Sequence, residues 1–422
     1  MGTFSYFRRE ALDAPPPAAS PTSPTVARHP GAARPAVLVL WTGYPAGARA
    51  CASLGGAGFH VVGAHPEARP GGRSLACTAP RRYPSPTEHP DRFMATVAEI
   101  CRAERIEAVV PIDEDIVRLL ATRGHELGGP VVVGPDAGQY GVLCDKLELT
   151  RTARALGLDV PETVLVDARG PDGPWPAVPS IVKPQTSRSE SAKPMAVATE
   201  AERDDYIAEL IGEGHAAIVQ ERIFGSRWVI QSVRGPGVFE YVVFEVVDMW
   251  PRGAGLASVK RPSDPPAAVV EGTRALLDHV DYRGPSGISF MHRDGRFFPH
   301  DANLRLGATS PASIHAGFDF PRRAVEVALG IDGEPFSGRH RPGLHMRLDL
   351  ELEALVDAWK TRHEGGSPGR VARRIAAVGL SPRGMLDPSP VNALWFGPLL
   401  SRAARRTTRS ARRAAIARRN SH

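Results

Sequence analysis

The sequence predicts a mixed fold class: a parallel α/β unit followed by a unit of α+β type. Three observations carry this. Short apolar runs recur between residues 36 and 135, separated by stretches of helical periodicity. The first run, AVLVLW (36–41), holds no polar residue before its end, as a strand buried on both faces requires. Beyond residue 225 the pattern becomes paired strand-like runs joined by tight-turn signals, Gly235-Pro236-Gly237 and Arg293-Asp294-Gly295.

Taken in order, the chain opens with a Pro-, Ala- and Ser-rich leader over 1–35 that lacks apolar periodicity and reads as disordered. The 36–41 strand turns at Thr42-Gly43-Tyr44 into a helix over 47–57, and FHVVGAH (59–65) is a second strand. An amphipathic helix covers 89–106, AVVPI (108–112) is a strand, 114–127 a helix, and PVVVGP (130–135) a strand. The first turn lacks GxGxxG and no acid ends the second strand, so this is a Rossmann-like unit without a dinucleotide site. The next helix spans 145–160, capped by Asp145 and ended by Gly157. PSIVKP (179–184) is a strand leading to a Ser-rich loop over 185–193, MAVAT a returning strand, 202–214 a helix and 216–223 a strand. Two strands lie within 228–248, a helix over 265–280, a hairpin over 286–305 and a helix over 319–330. A helical region is expected to about residue 400, and a basic tail fills 401–422.

Composition narrows the class. The chain of 422 residues has 52 Lys+Arg against 46 Asp+Glu, a formal charge of +6. Eight Arg and no acid lie in 401–422, so the body over 36–400 is slightly acidic. The excess is terminal, which argues against a nucleic-acid surface on the body; the tail is compatible with an anionic partner or with a solvated end. No apolar run approaches the roughly 18 residues of a membrane-spanning helix. Cys51, Cys77, Cys101 and Cys144 are scattered without CxxC spacing, as for reduced thiols in a cytoplasmic protein. The 14 His form no HExxH pair, so none is assigned to zinc.

Two constellations could carry chemistry. Only five basic residues are lysine, and three of them (Lys146, Lys183, Lys193) fall within 145–195. Lysine is a compact charge suited to phosphate, Lys146 starts a helix whose free N–H groups favour anions, and Lys183 ends a strand before a hydroxyl-rich loop. The alternative is three solvated surface lysines. In Asp301-Ala302-Asn303-Leu304-Arg305, strand spacing points 301, 303 and 305 the same way. A carboxylate and an amide oxygen suit Mg²⁺, and the guanidinium can steady a phosphoryl group. Lys260-Arg261 offers charge to an anionic substrate or to solvent. Asp113-Glu114-Asp115 is a ligand-end cluster or an acidic helix start.

These motifs, in the order DK…GLDVP (145–161), VKP (182–184), IVQERIFG (218–225), DGRFFPHDANLR (294–305) and AGFDFPRRAVEVALG (316–330), resemble the ATP-grasp superfamily. Within it the chain is most similar to ATP-dependent carboligases related to carbamoyl-phosphate synthase large chains. The resemblance covers 36–330, with a weaker stretch, LDPSPVNAL, at 386–394. It implies a Rossmann-like N-terminal domain (36–140) and an ATP-grasp module (141–335) made of a lid over about 160–222 and an antiparallel C-terminal part. It implies that Lys146, Lys183 and Lys193 meet ATP phosphates, that Gln220, Glu221, Arg222 and Ile223 line the adenine, and that Asp301 and Asn303 hold Mg²⁺ with Arg305 at the γ-phosphate. The implied activity is an ATP-dependent ligase joining a small-molecule carboxylate to an amine or thiol through an acyl phosphate. A non-catalytic nucleotide-binding protein is the alternative, and a homodimer is among the open oligomeric states. The sequence departs from the pattern where Ser289 stands for a second acid, and where Arg227-Trp228 replaces an acid after Gly225.

Overall fold

The computed structural model describes residues 35–66, 77, 79–187, 193–361, 367–381 and 384–387. The leader before residue 35, the centre of the Ser-rich loop, most of the 386–394 motif and the basic tail lie outside the described residues.

The first sheet is parallel, as the alternation of strand and helix predicts. It is built from β1 (Ala36–Leu40), α1 (Pro45–Gly56), β2 (His60–Pro66), β3 (Ala79–Tyr83), α2 (Pro90–Ala103), β4 (Ile106–Pro111), α3 (Glu114–Arg123) and β5 (Val131–Val132), with strand order β3-β2-β1-β4-β5. Val37, Leu38, Val39 and Leu40 have no exposed surface. Leu38 and Leu40 pack on the apolar stripe of α2 (Phe93, Met94, Val97, Cys101), while Val37 and Val39 pack on α1. Pro90 at the start of α2 costs nothing there, because its missing N–H would have no partner in a first helical turn. Strand β3 has no counterpart among the expected elements: Pro80, Arg81 and Arg82 interrupt any apolar pattern, but an edge strand tolerates them, and Tyr83 anchors it edge-on against Phe93.

Helices α4 (Ala137–Leu143) and α5 (Lys146–Ala155) follow, capped by Asp136 and Asp145. The second sheet contains β6 (Thr163–Asp167), β7 (Gly170–Pro171), β8 (Ser180–Pro184), β9 (Met195–Val197) and β10 (Ala217–Glu221), in order β7-β6-β10-β8-β9, with α6 (Glu200–Gly212) on one face.

The third sheet has seven strands, β11 (Ser226–Gly235), β12 (Val238–Trp250), β13 (Leu256–Ser263), β14 (Gly284–Arg293), β15 (Arg296–Asn303), β16 (Leu344–Arg347) and β17 (Gly384–Asp387), in order β15-β14-β11-β12-β13-β16-β17. Its first five strands are antiparallel neighbours. The turn between β14 and β15 places Asp294 and Gly295 at φ 52° and 76°. Both lie in the left-handed region, so the Asp-Gly pair fits the tight hairpin. In chain order the remaining helices are α7 (Ala267–His279), α8 (Ser310–His315), α9 (Phe320–Ala328), α10 (Leu348–Lys360) and α11 (Pro368–Gly379).

One difference from expectation lies at the C-terminal end. The region beyond 335 is not wholly helical: β16 pairs antiparallel with β13, and β17 pairs parallel with β16. Four-residue strands carry little periodicity of their own; they form because β13 offers unpaired backbone groups along its edge.

The two faces of the third sheet differ. Ile230, Val243, Ile288, Phe290, Ala302 and Leu304 form a core with α5 and α7. On the opposite face Val233, Val242 and Phe244 join the same apolar cluster as Val37 and Val39. Further along that face the side chains become polar, and the candidate site begins there.

Candidate active site

Ser289 and Asp301 are cross-strand partners, as are Gly287 and Asn303. Asn303 Nδ2 donates to Asp301 Oδ2 at 2.8 Å, and Arg305 Nη2 donates to Asn303 Oδ1 at 3.1 Å. Strand β15 ends at Asn303, so Arg305 lies two residues beyond it, yet the three predicted residues still meet in one hydrogen-bonded chain. The chain continues across the molecule. Arg305 Nε donates to Glu114 Oε2 at 2.7 Å, and the Tyr140 hydroxyl donates to Glu114 Oε1 at 3.1 Å.

The acidic cluster at the start of α3 therefore divides its work. Asp113 caps the helix by accepting from the backbone N–H groups of Asp115 and Ile116. Glu114 faces the site. Burial works against the Arg305 charge, but the adjacent Glu114 carboxylate more than compensates and holds the proton more firmly than usual.

Lys146 and Lys183 come together because the start of α5 is stapled to the end of β8. The Lys146 N–H donates to the Gln185 carbonyl at 3.1 Å, and Gln185 Nε2 donates to Asp145 Oδ2 at 2.7 Å. Both lysines are buried, at 4% and 3% exposure. Lys146 Nζ donates to Ser187 Oγ, and Lys183 Nζ to the His300 carbonyl, each at 2.8 Å. Burial, followed by the charge of Lys146, lowers the Lys183 ammonium to about 7, against the opposing pull of Asp301. Burial raises the Asp301 carboxyl, but the charges of Lys146, Lys183 and Arg227 overcome that and leave it below the usual carboxylate value. Burial, then Arg227 and Lys183, push the His300 ring down to about 3, so it is neutral.

The other predicted residues sit differently. Lys193 is exposed just before β9, where its carbonyl accepts from the Tyr206 hydroxyl. No described contact joins it to Lys146 or Lys183. Gln220 is buried and its amide donates to Thr163 Oγ1 at 2.9 Å, turned into the second sheet. Glu221 accepts from Arg293 at 3.0 Å, Arg222 stacks over Phe224, and Ile223 is buried. Lys260 is buried in β13, donating to the Ala257 carbonyl at 3.0 Å, and Arg261 is exposed beside Glu245.

Charge balance decides what fits here. The buried Lys146 and Lys183 and the partly buried Arg227 and Arg305 face Asp301 and Glu114, with Asp113 also acting on Arg305, so cationic groups outnumber carboxylates and a polyanion would neutralise the excess. Asp301 and Asn303 are the side chains here whose oxygens could hold a hard cation such as Mg²⁺. Among the described residues no group of three or more His, Cys, Asp or Glu is gathered for a metal ion. The donor set suits one hard cation shared with phosphate oxygens and does not suit two.

No protein-family model and no curated protein sequence matches the chain. Solved structures do match in fold. The L-amino acid ligase from Bacillus licheniformis superimposes with a TM-score of 0.60 at 14% identity, covering 74% of this chain and 78% of that one. The ADP complex of purK, an N5-carboxyaminoimidazole ribonucleotide synthetase, gives 0.61 at 11% identity, covering 77% and 85%. The biotin carboxylase–βγ-ATP complex from Campylobacter jejuni gives 0.55 at 14% identity, covering 73% and 74%. Together with the ordered motifs, these likenesses identify the architecture: the chain has the ATP-grasp fold.

Proposed function

We propose that the protein is an ATP-dependent ligase that joins a small-molecule carboxylate to an amine or thiol, releasing ADP and phosphate. The observation that carries this is the cationic cluster of the buried Lys146 and Lys183 with the partly buried Arg305 around Asp301 and Asn303. The names of the similar structures, two ligases or synthetases and a carboxylase held with ATP or ADP, support the same reading.

In this reading the domains follow the sheets: 36–140, then 141–335 with its lid over about 160–222. The nucleotide lies between the second and third sheets. Lys146 and Lys183 bind its phosphates, with Lys193 joining from the lid, and Gln220 to Ile223 meet the adenine. Arg305, held in place by Glu114 and Asn303, takes the γ-phosphate and steadies the charge that grows as the substrate carboxylate attacks it. Mg²⁺, held by Asp301 and Asn303, would neutralise phosphate oxygens. The nucleophile then attacks the acyl carbon of the acyl phosphate formed on the substrate, and phosphate leaves as the new C–N or C–S bond forms. The chain supplies positioning and charge and no covalent group of its own.

The test is product analysis. ADP and phosphate should appear only when the correct carboxylic acid is present. AMP and pyrophosphate would rule out an acyl phosphate. A second reading, a non-catalytic nucleotide-binding protein, is favoured by Ser289. Thermal stabilisation by ATP without turnover on any acid would select it.

A further inference from the structure

We propose that the Arg227 guanidinium stands in for a second divalent cation, so that this protein binds ATP with one metal ion. The proposal rests on the ATP reading above and concerns the same face of the third sheet.

Arg227 lies on β11, the strand next to β14. Its cross-strand partner is Met291, and that of Val229 is Ser289, which in turn pairs with Asp301 on β15. Directly opposed residues share a face, as do residues two apart on one strand, so Arg227, Ser289 and Asp301 project from the same side. Arg227 Nη2 donates to Ser289 Oγ at 3.4 Å, and Nη1 donates to the Gly255 carbonyl at 2.9 Å. The buried Nε has no hydrogen-bond partner among the described residues. One edge of the fork is therefore fixed by the fold, while a donor remains for an anion.

A second dication beside Asp301 would need another carboxylate. The facing position is Ser289, a neutral hydroxyl already engaged by the guanidinium, and the nearest charged groups are cationic. Arginine keeps its proton at any working pH, so with its remaining donor turned to a phosphate oxygen it can carry the neutralising role that a metal would otherwise fill.

The test counts metal. The full-length protein is titrated with Mn²⁺ in the presence of a non-hydrolysable β,γ-imido ATP analogue, with free ion followed by its electron paramagnetic resonance signal. One Mn²⁺ per protein–nucleotide complex is expected, and two would overturn the proposal. Arg227→Ala should weaken analogue binding about 10- to 100-fold at saturating Mn²⁺, as loss of a charged hydrogen-bond donor does. Unchanged affinity in a variant whose ligand-free melting curve is intact would overturn it. The double variant Arg227→Ala/Ser289→Glu should bind two Mn²⁺ per complex; one only would count against the proposal. Failure of the unaltered protein to bind the analogue at any Mn²⁺ concentration would instead overturn the ATP reading, so the two failures are distinguishable.

Discussion

The first and third sheets use their buried surface in opposite ways. The first is parallel and closed on both faces by apolar packing, with the Val37–Leu40 run wholly buried. It contributes one side chain to the site, Glu114, from the loop end of a neighbouring helix. The third is antiparallel, and its strands alternate. One face is core, from Ile230 to Leu304, and the other carries Arg227, Ser289, Asp301 and Asn303. Period-two alternation lets a single strand serve packing and chemistry together, which a strand buried apolar on both faces cannot do. The first sheet is thus a wall and the third a working surface.

The sharpest way to break that distinction is Lys183→Ala. Turnover should fall about a thousandfold, the upper end for removing a charged donor from a phosphate site, while the melting temperature changes little or rises because a buried ammonium is gone. Steady-state rates beside a thermal melt check this; retained turnover would make the cationic cluster structural. Leu38→Ala should do the reverse. It opens a cavity in the first sheet and should cost about 2–5 kcal/mol of stability by urea unfolding, with the affinity for ATP unchanged. Asp301→Asn should lower turnover about a hundredfold with the fold intact.

Glu114→Gln probes the ion pair that joins α3, beside the first sheet, to the end of the third. It leaves the largely shielded Arg305 without its counter-charge, at a cost of about 1.5–3 kcal/mol, and should weaken nucleotide binding through Arg305. A loss confined to stability, with no change in nucleotide affinity, would make the pair a strut. The smallest effect is that of pH. In the unfolded chain Lys183 keeps its proton to 10.5, and in the fold only to about 7. Between those values the unfolded chain binds more protons, so Lys183 adds stability as pH rises through that window. Nucleotide binding needs the ammonium, so affinity should run the other way, falling about 25-fold from pH 6.5 to 8.5. Calorimetric titration at both values checks the slope, which Lys183→Met should flatten.

Much of the fold was legible because its signals are local. The apolar runs of the first sheet, the Gly-Pro-Gly turn before β12 and the Asp-Gly turn before β15 each declare themselves within a few residues. Strands β3, β13, β16 and β17 did not, since their existence depends on a neighbour's open edge more than on their own pattern. The site divides in the same way. Asp301, Asn303 and Arg305 are two residues apart, and the scarcity of lysine marked Lys146 and Lys183. Glu114 meets Arg305 across 191 positions, and Arg227 meets Ser289 across 62. The acidic triplet 113–115 and the Arg after Gly225 were visible as departures, but only the folded chain shows which of them faces the chemistry.

Gly225 has a mechanical consequence. It sits between β10 and β11, at the single crossing from the second sheet to the third. A methyl group placed on it would lie 1.8 Å from the His292 carbonyl oxygen. Beside it, Glu221 is tied to Arg293 of the same hairpin. The joint is thus a bare backbone packed against the end of β14, where no side chain has room. Lys183 reaches from the second sheet to the third through the His300 carbonyl, whereas Lys193 lies exposed just before the outermost strand β9.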